Sequence, residues 1–259
     1  KRLDADVLAL EEVENKDALI EFRDGYLKGL GYDHVASLDA GDPRGIEQSV
    51  LSRIPIVKVE NWPEERIDDQ QAKRTGDGWA APKGGELPKR WARSPLVVTL
   101  KTKDGYELQL FVVHHKSGGD FDAQRELEAL EVIERVQARV KENPKLNIAV
   151  LGDFNATPSK KSVKTYLNSG FVNAYDKRFD PKAPSEMYLT HATHRPIDFI
   201  FMSPALAEDT IDRSYFVLSA PIPAKLPPMD ASPEEKEKSL PKGYASDHMP
   251  VAIDLLPRD

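Results

Sequence analysis

Ile148-Ala149-Val150-Leu151-Gly152-Asp153-Phe154-Asn155 is the stretch that decides how this chain folds. The run is apolar and rich in β-branched residues, so it reads as a buried strand. It ends at once in a carboxylate and an amide. Three other segments share the design: Val7-Leu8-Ala9-Leu10-Glu11-Glu12, Ile197-Asp198-Phe199-Ile200 and Ser246-Asp247-His248-Met249-Pro250-Val251. Polar groups at the ends of several buried strands converge on one rim of a sheet. Such a cluster is costly unless a metal or a substrate compensates it.

Around these segments the chain alternates strands and helices. Strands are predicted over 6–11, 32–38, 48–52, 56–62, 147–151, 197–202, 215–218 and 251–255. Residues 96–100 and 106–114 read as a hairpin around Lys103-Asp104-Gly105, a good turn signal. Helical spacing runs over 16–30, and most clearly over 122–141, where Leu127, Leu130, Ile133, Val136 and Val140 share a face. A short helix is predicted over 159–167. Residues 63–93 and 220–245 read as long loops. About ten strands and three or four helices suggest two packed sheets covered by helices.

With 259 residues and no composition break, one domain over 1–259 is expected. A hydrophobic fraction of 40% supports a sizeable core, and 31% charged residues of mixed sign read as a soluble surface. No stretch approaches the roughly 20 apolar residues of a membrane span. The net charge of −7 argues against coating nucleic acid by bulk electrostatics. It leaves room for an enzyme that meets phosphate through a metal ion. The absence of cysteine excludes disulfides, thiolate zinc sites and cysteine nucleophiles. It does not settle the compartment, and no signal peptide is visible. Acidic and imidazole groups on one rim suggest a divalent-metal hydrolase.

The four segments, with Phe111-Val112-Val113-His114-His115-Lys116-Ser117 as a fifth, resemble the endonuclease/exonuclease/phosphatase superfamily. That group includes pancreatic deoxyribonuclease, abasic-site endonucleases, inositol polyphosphate phosphatases and neutral sphingomyelinases. The matches fall in the family's order and span residues 6 to 255. The resemblance implies a four-layer α/β sandwich of two packed mixed β-sheets flanked by helices. It also implies an earlier strand carrying a metal-site Asn, which this sequence lacks ahead of Asp6. The chain is therefore expected to be N-terminally incomplete. Its arrangement is similar to bacterial secreted nuclease-like members, which favours an extracellular or periplasmic setting.

The resemblance assigns roles residue by residue. Glu11 and Glu12 are neighbours, so in a regular strand only one reaches the site; the family match puts the metal ligand at Glu12. A hard cation such as Mg²⁺ or Mn²⁺ prefers such oxygen ligands. Asp153 and Asn155 can point the same way along an extended segment. By resemblance Asp153 orients the attacking water and Asn155 supports the transition state, although Asp and Asn also close ordinary turns after strands. Asp198 would fix the tautomer of His248, which would contact the phosphate, and Asp247 would join the metal site. His114 and His115 face opposite ways. The family pattern favours His114, but its next position is usually apolar, so the choice stays open. Lys116 and Arg53 are candidate substrate-binding residues, each equally readable as an ordinary surface cation.

The stretch from 70 to 93 is locally basic, with Lys73, Arg74, Lys83, Lys89, Arg90 and Arg93 against Asp77 and Glu86. Trp79 and Trp91 lie within it. Cations beside aromatic platforms suit a phosphorylated or single-stranded substrate; a solvated loop has the same composition. Together these readings predict a monomeric Mg²⁺- or Mn²⁺-dependent phosphodiesterase, a nuclease in the first instance. The alternatives are an inositol-phosphate or lipid-headgroup phosphatase with the same site, and a non-catalytic phosphate-binding module.

Overall fold

The structure is a computed structural model and describes residues 3–74, 84–175, 188–218, 227, 231–239 and 246–258. Three strands, β1 (Val7–Val13), β2 (His34–Ser37) and β3 (Glu47–Ser52), form an antiparallel sheet in the order β1-β3-β2. A six-stranded sheet follows: β4 (Ile56–Glu60), β5 (Leu96–Lys101), β6 (Glu107–His114), β7 (Asn147–Asp153), β8 (Val172–Asn173) and β9 (Asp198–Met202), in the order β4-β5-β6-β7-β9-β8. Among its described strands only β6 and β7 run parallel. Parallel neighbours need a crossover, and the long helix α2 (Asp122–Glu142) provides it. Strands β10 (Phe216–Val217) and β11 (Val251–Ala252) pair by themselves.

Three apolar clusters define the layers. Helix α1 (Lys16–Tyr26) packs Leu19 on the outer face of the small sheet, against Leu51 with Leu8 and Leu10. Between the sheets lie Val50, Leu110, Val112, Ala149 and Ile200, with Val7 and Ala9 against them. Beyond the large sheet, Phe111, Val113, Val150 and Phe201 meet Leu127 and Val136 of α2 and Val163 and Tyr166 of α3 (Lys161–Asn168). The order helix, sheet, sheet, helix is the expected four-layer sandwich. Two short helices, α4 (Pro204–Asp209) and α5 (Pro233–Ser239), complete the described elements.

Several boundaries differ from the sequence reading. Helix α1 starts where the Asn15 side chain accepts from the Ala18 N–H, and ends at Tyr26 instead of Leu30. The loop over 63–93 contains a 3₁₀ turn at Asp68–Lys73 and a bridge between Arg66 and Arg90. Lys83, Asp77 and Trp79 lie outside the described residues, as does most of the 220–245 stretch. Among the described residues no helix is long and apolar enough to cross a membrane.

Candidate active site

Strand alternation builds the site. On β6, Leu108, Leu110 and Val112 face the inter-sheet core, so His114 continues that stripe. On β7, Ala149 and Leu151 do the same and lead to Asp153; on β9, Ile200 and Met202 share the face of Asp198. The register then sets His114 beside Asp153, and Asp153 beside Asp198. Three neighbouring strands thus present an imidazole and two carboxylates in one row. His114 Nε2 lies 3.6 Å from Asp153 Oδ2. His115 has the opposite parity. It packs edge-on to Phe154 and lies between Glu128 (3.3 Å) and the Tyr166 hydroxyl (3.1 Å). The imidazole left open by the sequence is therefore settled in position: His114 meets the carboxylates.

The small sheet contributes through an irregularity. Leu10 pairs with Ser49 and Val13 with Glu47, so Glu11 and Glu12 together stand opposite Gln48. Glu12 adopts the left-handed conformation, φ +59°. This bulge corrects the expectation that only one of the two glutamates reaches the site, because a bulge re-aims side chains at a strand end. Glu11 keeps the inward parity of Val7 and Ala9. Burial, then the charges of Asp198 and Asp153, push its carboxyl up to about 8. Glu12 is exposed, with Oε1 3.6 Å from Arg44 and 4.0 Å from His114 Nε2.

Close approach of the β6 backbone and of the Glu11 side chain requires Gly152 on β7. Its φ is +132°, and a Cβ there would lie 2.1 Å from the Val113 carbonyl oxygen and 2.7 Å from Glu11 Oε1. The next residues form an Asx turn: the Asn155 N–H donates to Asp153 Oδ1 at 2.7 Å. Asn155 Nδ2 donates to Asp153 Oδ2 (2.8 Å) and to the His115 carbonyl (3.1 Å). The turn and the candidate carboxylate are one feature. Asn155, at φ +47°, holds Asp153.

His248 enters from the segment before β11. Its Nδ1 lies 2.9 Å from Asp198 Oδ1, and its Nε2 is 3.9 Å from Asp153 Oδ2. Burial works to lower its pKa, but the Asp198 hydrogen bond and the charges of Asp198, Asp153 and Asp247 outweigh it, raising it to about 9. His114 goes the other way: burial, with Arg93 and Arg44 nearby, holds it far below the ordinary imidazole value. Burial and the Asp198 charge lift Asp153 to about 7. Asp247 lies 3.3 Å from His191, whose hydrogen bond holds its carboxyl below the usual range.

One predicted residue stands apart, and another is engaged locally. Arg53 is at the other end of β1 from Glu11: its backbone N–H donates to Asp6, and its guanidinium binds Asp4, Asp6 and the Leu30 carbonyl. Five residues of strand, roughly 17 Å, separate Asp6 from Glu11. The strand exit it occupies is the wrong one for this rim. Lys116 carries its ammonium 4.4 Å from the Phe121 ring centre, and its backbone N–H donates to Glu128. Four of the five described cations of the basic loop are also engaged: Lys73 with Glu134, Arg74 with Glu126, Arg90 with Glu64 and Arg93 with Asp42, while Lys89 is exposed. Trp91 is buried.

Other contributors gave no sequence signal. Arg93 is buried and donates to the carbonyls of His114 and His115, both at 2.8 Å, which pins the end of β6. Glu128, on α2, is fully buried and accepts the backbone N–H groups of Ala92 and Lys116. A lone Arg in a basic loop and a Glu among helical charges both read as surface residues. His191 lies in a polar turn with no apolar run to mark it.

The donor set suits a hard divalent ion. Asp153, Asp198 and His248 offer ligand atoms within 4.8 Å of one another, as do His191, Asp247 and His248. Glu11 and Asp153 are both raised in pKa first by burial and then by the charge of Asp198, and a nearby cation would favour their charged forms.

No curated protein matches the sequence. Among solved structures, the catalytic domain of human nocturnin, with bound sulfate, superposes with a TM-score of 0.64 at 19% identity, covering 98% of this chain and 83% of that one. A mannosyl-6-phosphatase of Bacteroides thetaiotaomicron gives 0.62 at 20% identity, with 98% and 86% covered. Truncated Caenorhabditis elegans TDP2 gives 0.54 at 12% identity, with 83% and 76% covered. At these identities the likeness is one of fold. The model of the Endonuclease/Exonuclease/phosphatase family matches residues 1–248. The chain belongs to the endonuclease/exonuclease/phosphatase family, whose members are phosphoester hydrolases.

Proposed function

We propose that the protein is a Mg²⁺- or Mn²⁺-dependent phosphodiesterase that hydrolyses its substrate by direct attack of water. The observation that carries this reading is the placement of Asp153. Its carboxylate faces His114 at 3.6 Å and His248 at 3.9 Å, and Asn155 holds it with two hydrogen bonds. A carboxyl lifted to about 7 is matched to accepting a proton near neutral pH. Asp153 takes a proton from the attacking water as the water oxygen bonds to phosphorus and the bond to the leaving oxygen breaks. His248, kept cationic by Asp198, donates to a phosphoryl oxygen. His114, kept neutral, donates through Nε2 to the phosphate or the leaving group. Glu12 and Asp247 are the proposed metal ligands, with Glu11 as the half-buried carboxylate behind them. A divalent ion held there supplies Lewis-acid stabilisation of the developing charge.

Nucleic acid is the first substrate to test. A second reading, a compact phosphoester such as a sugar or inositol phosphate, is favoured by the ion pairing of Lys73, Arg74, Arg90 and Arg93. Those four cations are committed to carboxylates and so are less available to a polymer backbone. The test is a hydrolysis panel of plasmid DNA, single-stranded DNA, RNA, bis-nitrophenyl phosphate, and sugar and inositol phosphates, with Mg²⁺, Mn²⁺ or EDTA. Asp153→Ala and His248→Ala run beside the unmodified protein. Metal-dependent cleavage of nucleic acid, lost in both variants, supports the nuclease. Phosphate release from small substrates alone replaces the substrate and keeps the site. No turnover by any substrate counts against catalysis and favours a phosphate-binding module.

A further inference from the structure

His191 sits in the turn that leads into β9, and its Nδ1 is held by one unambiguous donor. The backbone N–H of Thr193 donates to its Nδ1 at 3.0 Å. The Thr193 hydroxyl is 2.7 Å from the same nitrogen and accepts from Arg195 Nε at 2.7 Å. A backbone N–H is a donor in every protonation state, so Nδ1 must be an acceptor. A neutral imidazole then carries its proton on Nε2. That nitrogen lies 3.3 Å from Asp247 Oδ2.

We infer that His191 is a positioning residue whose Nε2–H fixes the Asp247 carboxylate and seats the Asp247-His248 segment over Asp198. The inference rests on the reading that Asp247 is a metal ligand. The same geometry removes His191 itself from the ligand set, although its atoms lie within reach of a shared ion: a protonated Nε2 has no lone pair to give. The ring also packs edge-on to His248, with centres 4.6 Å apart at 84°. The backbone supports the same alignment. The Ala192 N–H donates to the Asp247 carbonyl and the Met249 N–H to that of Thr190. The Thr190 hydroxyl accepts from the N–H groups of Ile197 and Asp198. One short turn therefore ties Asp198, Asp247 and His248 together. Outer partners of this kind orient a metal ligand and commonly change metal affinity 10–100-fold when lost.

The test compares the unmodified protein with His191→Phe and His191→Gln. Phe keeps a flat ring against His248 and loses the N–H; Gln keeps an N–H near the Nε2 position. Mn²⁺ affinity is read by electron paramagnetic resonance, folding by thermal midpoint, and the His191 tautomer by long-range ¹H–¹⁵N NMR of the unmodified protein. The expected result is an Nε2–H tautomer, Mn²⁺ binding weakened at least about 10-fold in His191→Phe, and most of it regained in His191→Gln. An Nδ1–H tautomer overturns the inference, and that readout stands even if the Phe variant fails to fold. Equal Mn²⁺ affinity in the unmodified protein and His191→Phe also overturns it, while leaving the metal site intact. Absence of Mn²⁺ binding in the unmodified protein overturns both the metal site and the role built on it.

Discussion

Both carboxylate oxygens of Asp198 face the Nδ1 of His248, at 2.9 Å and 3.1 Å. An acceptor on each side of Nδ1 keeps a proton there and leaves Nε2 to face Asp153. Since burial alone would depress His248, the raised pKa of about 9 depends on Asp198. Asp198→Asn should return the His248 pKa toward or below its ordinary 6.5, read from the imidazole C2 proton by NMR. The sign follows from linkage. A histidine whose pKa is raised in the folded state contributes stability that is complete below about 6.5 and lost as pH climbs toward 9. That alkaline loss should flatten in the variant. Turnover should fall by about 10² to 10⁴. An unchanged titration would show that the pair does not set the charge of His248.

Glu11 shifts stability with pH in the same direction, but here the charged form is the one that destabilises. Its carboxyl is raised from 4.5 to about 8, first by burial and then by Asp198 and Asp153. The folded protein therefore holds a proton that the unfolded chain has released, and metal-free stability should decline as pH rises through that window. Glu11→Gln keeps the shape and carries no charge. It should raise the thermal midpoint of the metal-free protein, with the gain growing between about pH 4.5 and 8 and level on either side. A gain independent of pH would mean that the carboxylate is not the strained group. Loss of turnover alongside the gain would identify a functional site held at a cost in stability.

Gly152→Ala tests the contact of β7 with its neighbour β6 beside Glu11. The added methyl would meet the Val113 carbonyl oxygen at 2.1 Å, and backbone cannot swing aside as a long side chain can. The positive φ of 132° adds strain for any other residue. The expected cost is at least about 2 kcal/mol, measured by chemical denaturation. Turnover should fall by more than the fraction unfolded explains, because β7 moves away from β6 and Glu11.

Much of this site was readable because alternation along a strand is strict. The apolar positions before His114, Asp153 and Asp198 already place them on the face between the sheets, and their register aligns them. What broke the alternation could not be read. Leu10-Glu11-Glu12-Val13 contains no glycine to mark a bulge, so both glutamates reaching the rim was unforeseen. Arg53 was misplaced because strand ends look alike until the direction of each strand in its sheet is known. His191, Arg93 and Glu128 act through contacts made across long sequence separations, and neither composition nor period records those.

Metal addition should stabilise the protein if Glu12 and Asp247 hold an ion. A ligand that prefers the folded state stabilises it by about 2.7 kcal/mol at a hundred times its dissociation constant. A thermal-shift titration with Mg²⁺ or Mn²⁺ should show this, and Glu12→Gln or Asp247→Asn should each remove most of the shift. Glu12 is the sharper probe. It is exposed and makes only a 3.6 Å pair with Arg44 and a 4.0 Å approach to His114, so its replacement should leave the metal-free midpoint nearly unchanged. Retention of the full shift in Glu12→Gln would move the ligand role elsewhere on the rim.

Arg93 carries the last prediction. Its guanidinium is buried with Asp42 at 2.7 Å and donates to the carbonyls of His114 and His115. Truncation removes one partner from the buried Asp42 carboxylate, which keeps Arg44, and one donor each from the His114 and His115 carbonyls. Arg93→Ala should therefore cost about 3–5 kcal/mol. Asp42 is held below its ordinary 3.8: burial works against the charged form, and hydrogen bonds from Arg44 and Arg93 overcome it. A depressed carboxyl contributes stability that is present above about 3.8 and fades as pH falls, so part of the loss should disappear in acid. Arg93→Met with Asp42→Leu removes both charges together and should recover a large part of the stability. Turnover should stay low in that double variant, because the donors that Arg93 gives to the His114 and His115 carbonyls are then lost. Recovery of turnover together with stability would reduce Arg93 to a packing role and place the alignment of His114 with Asp153 alone.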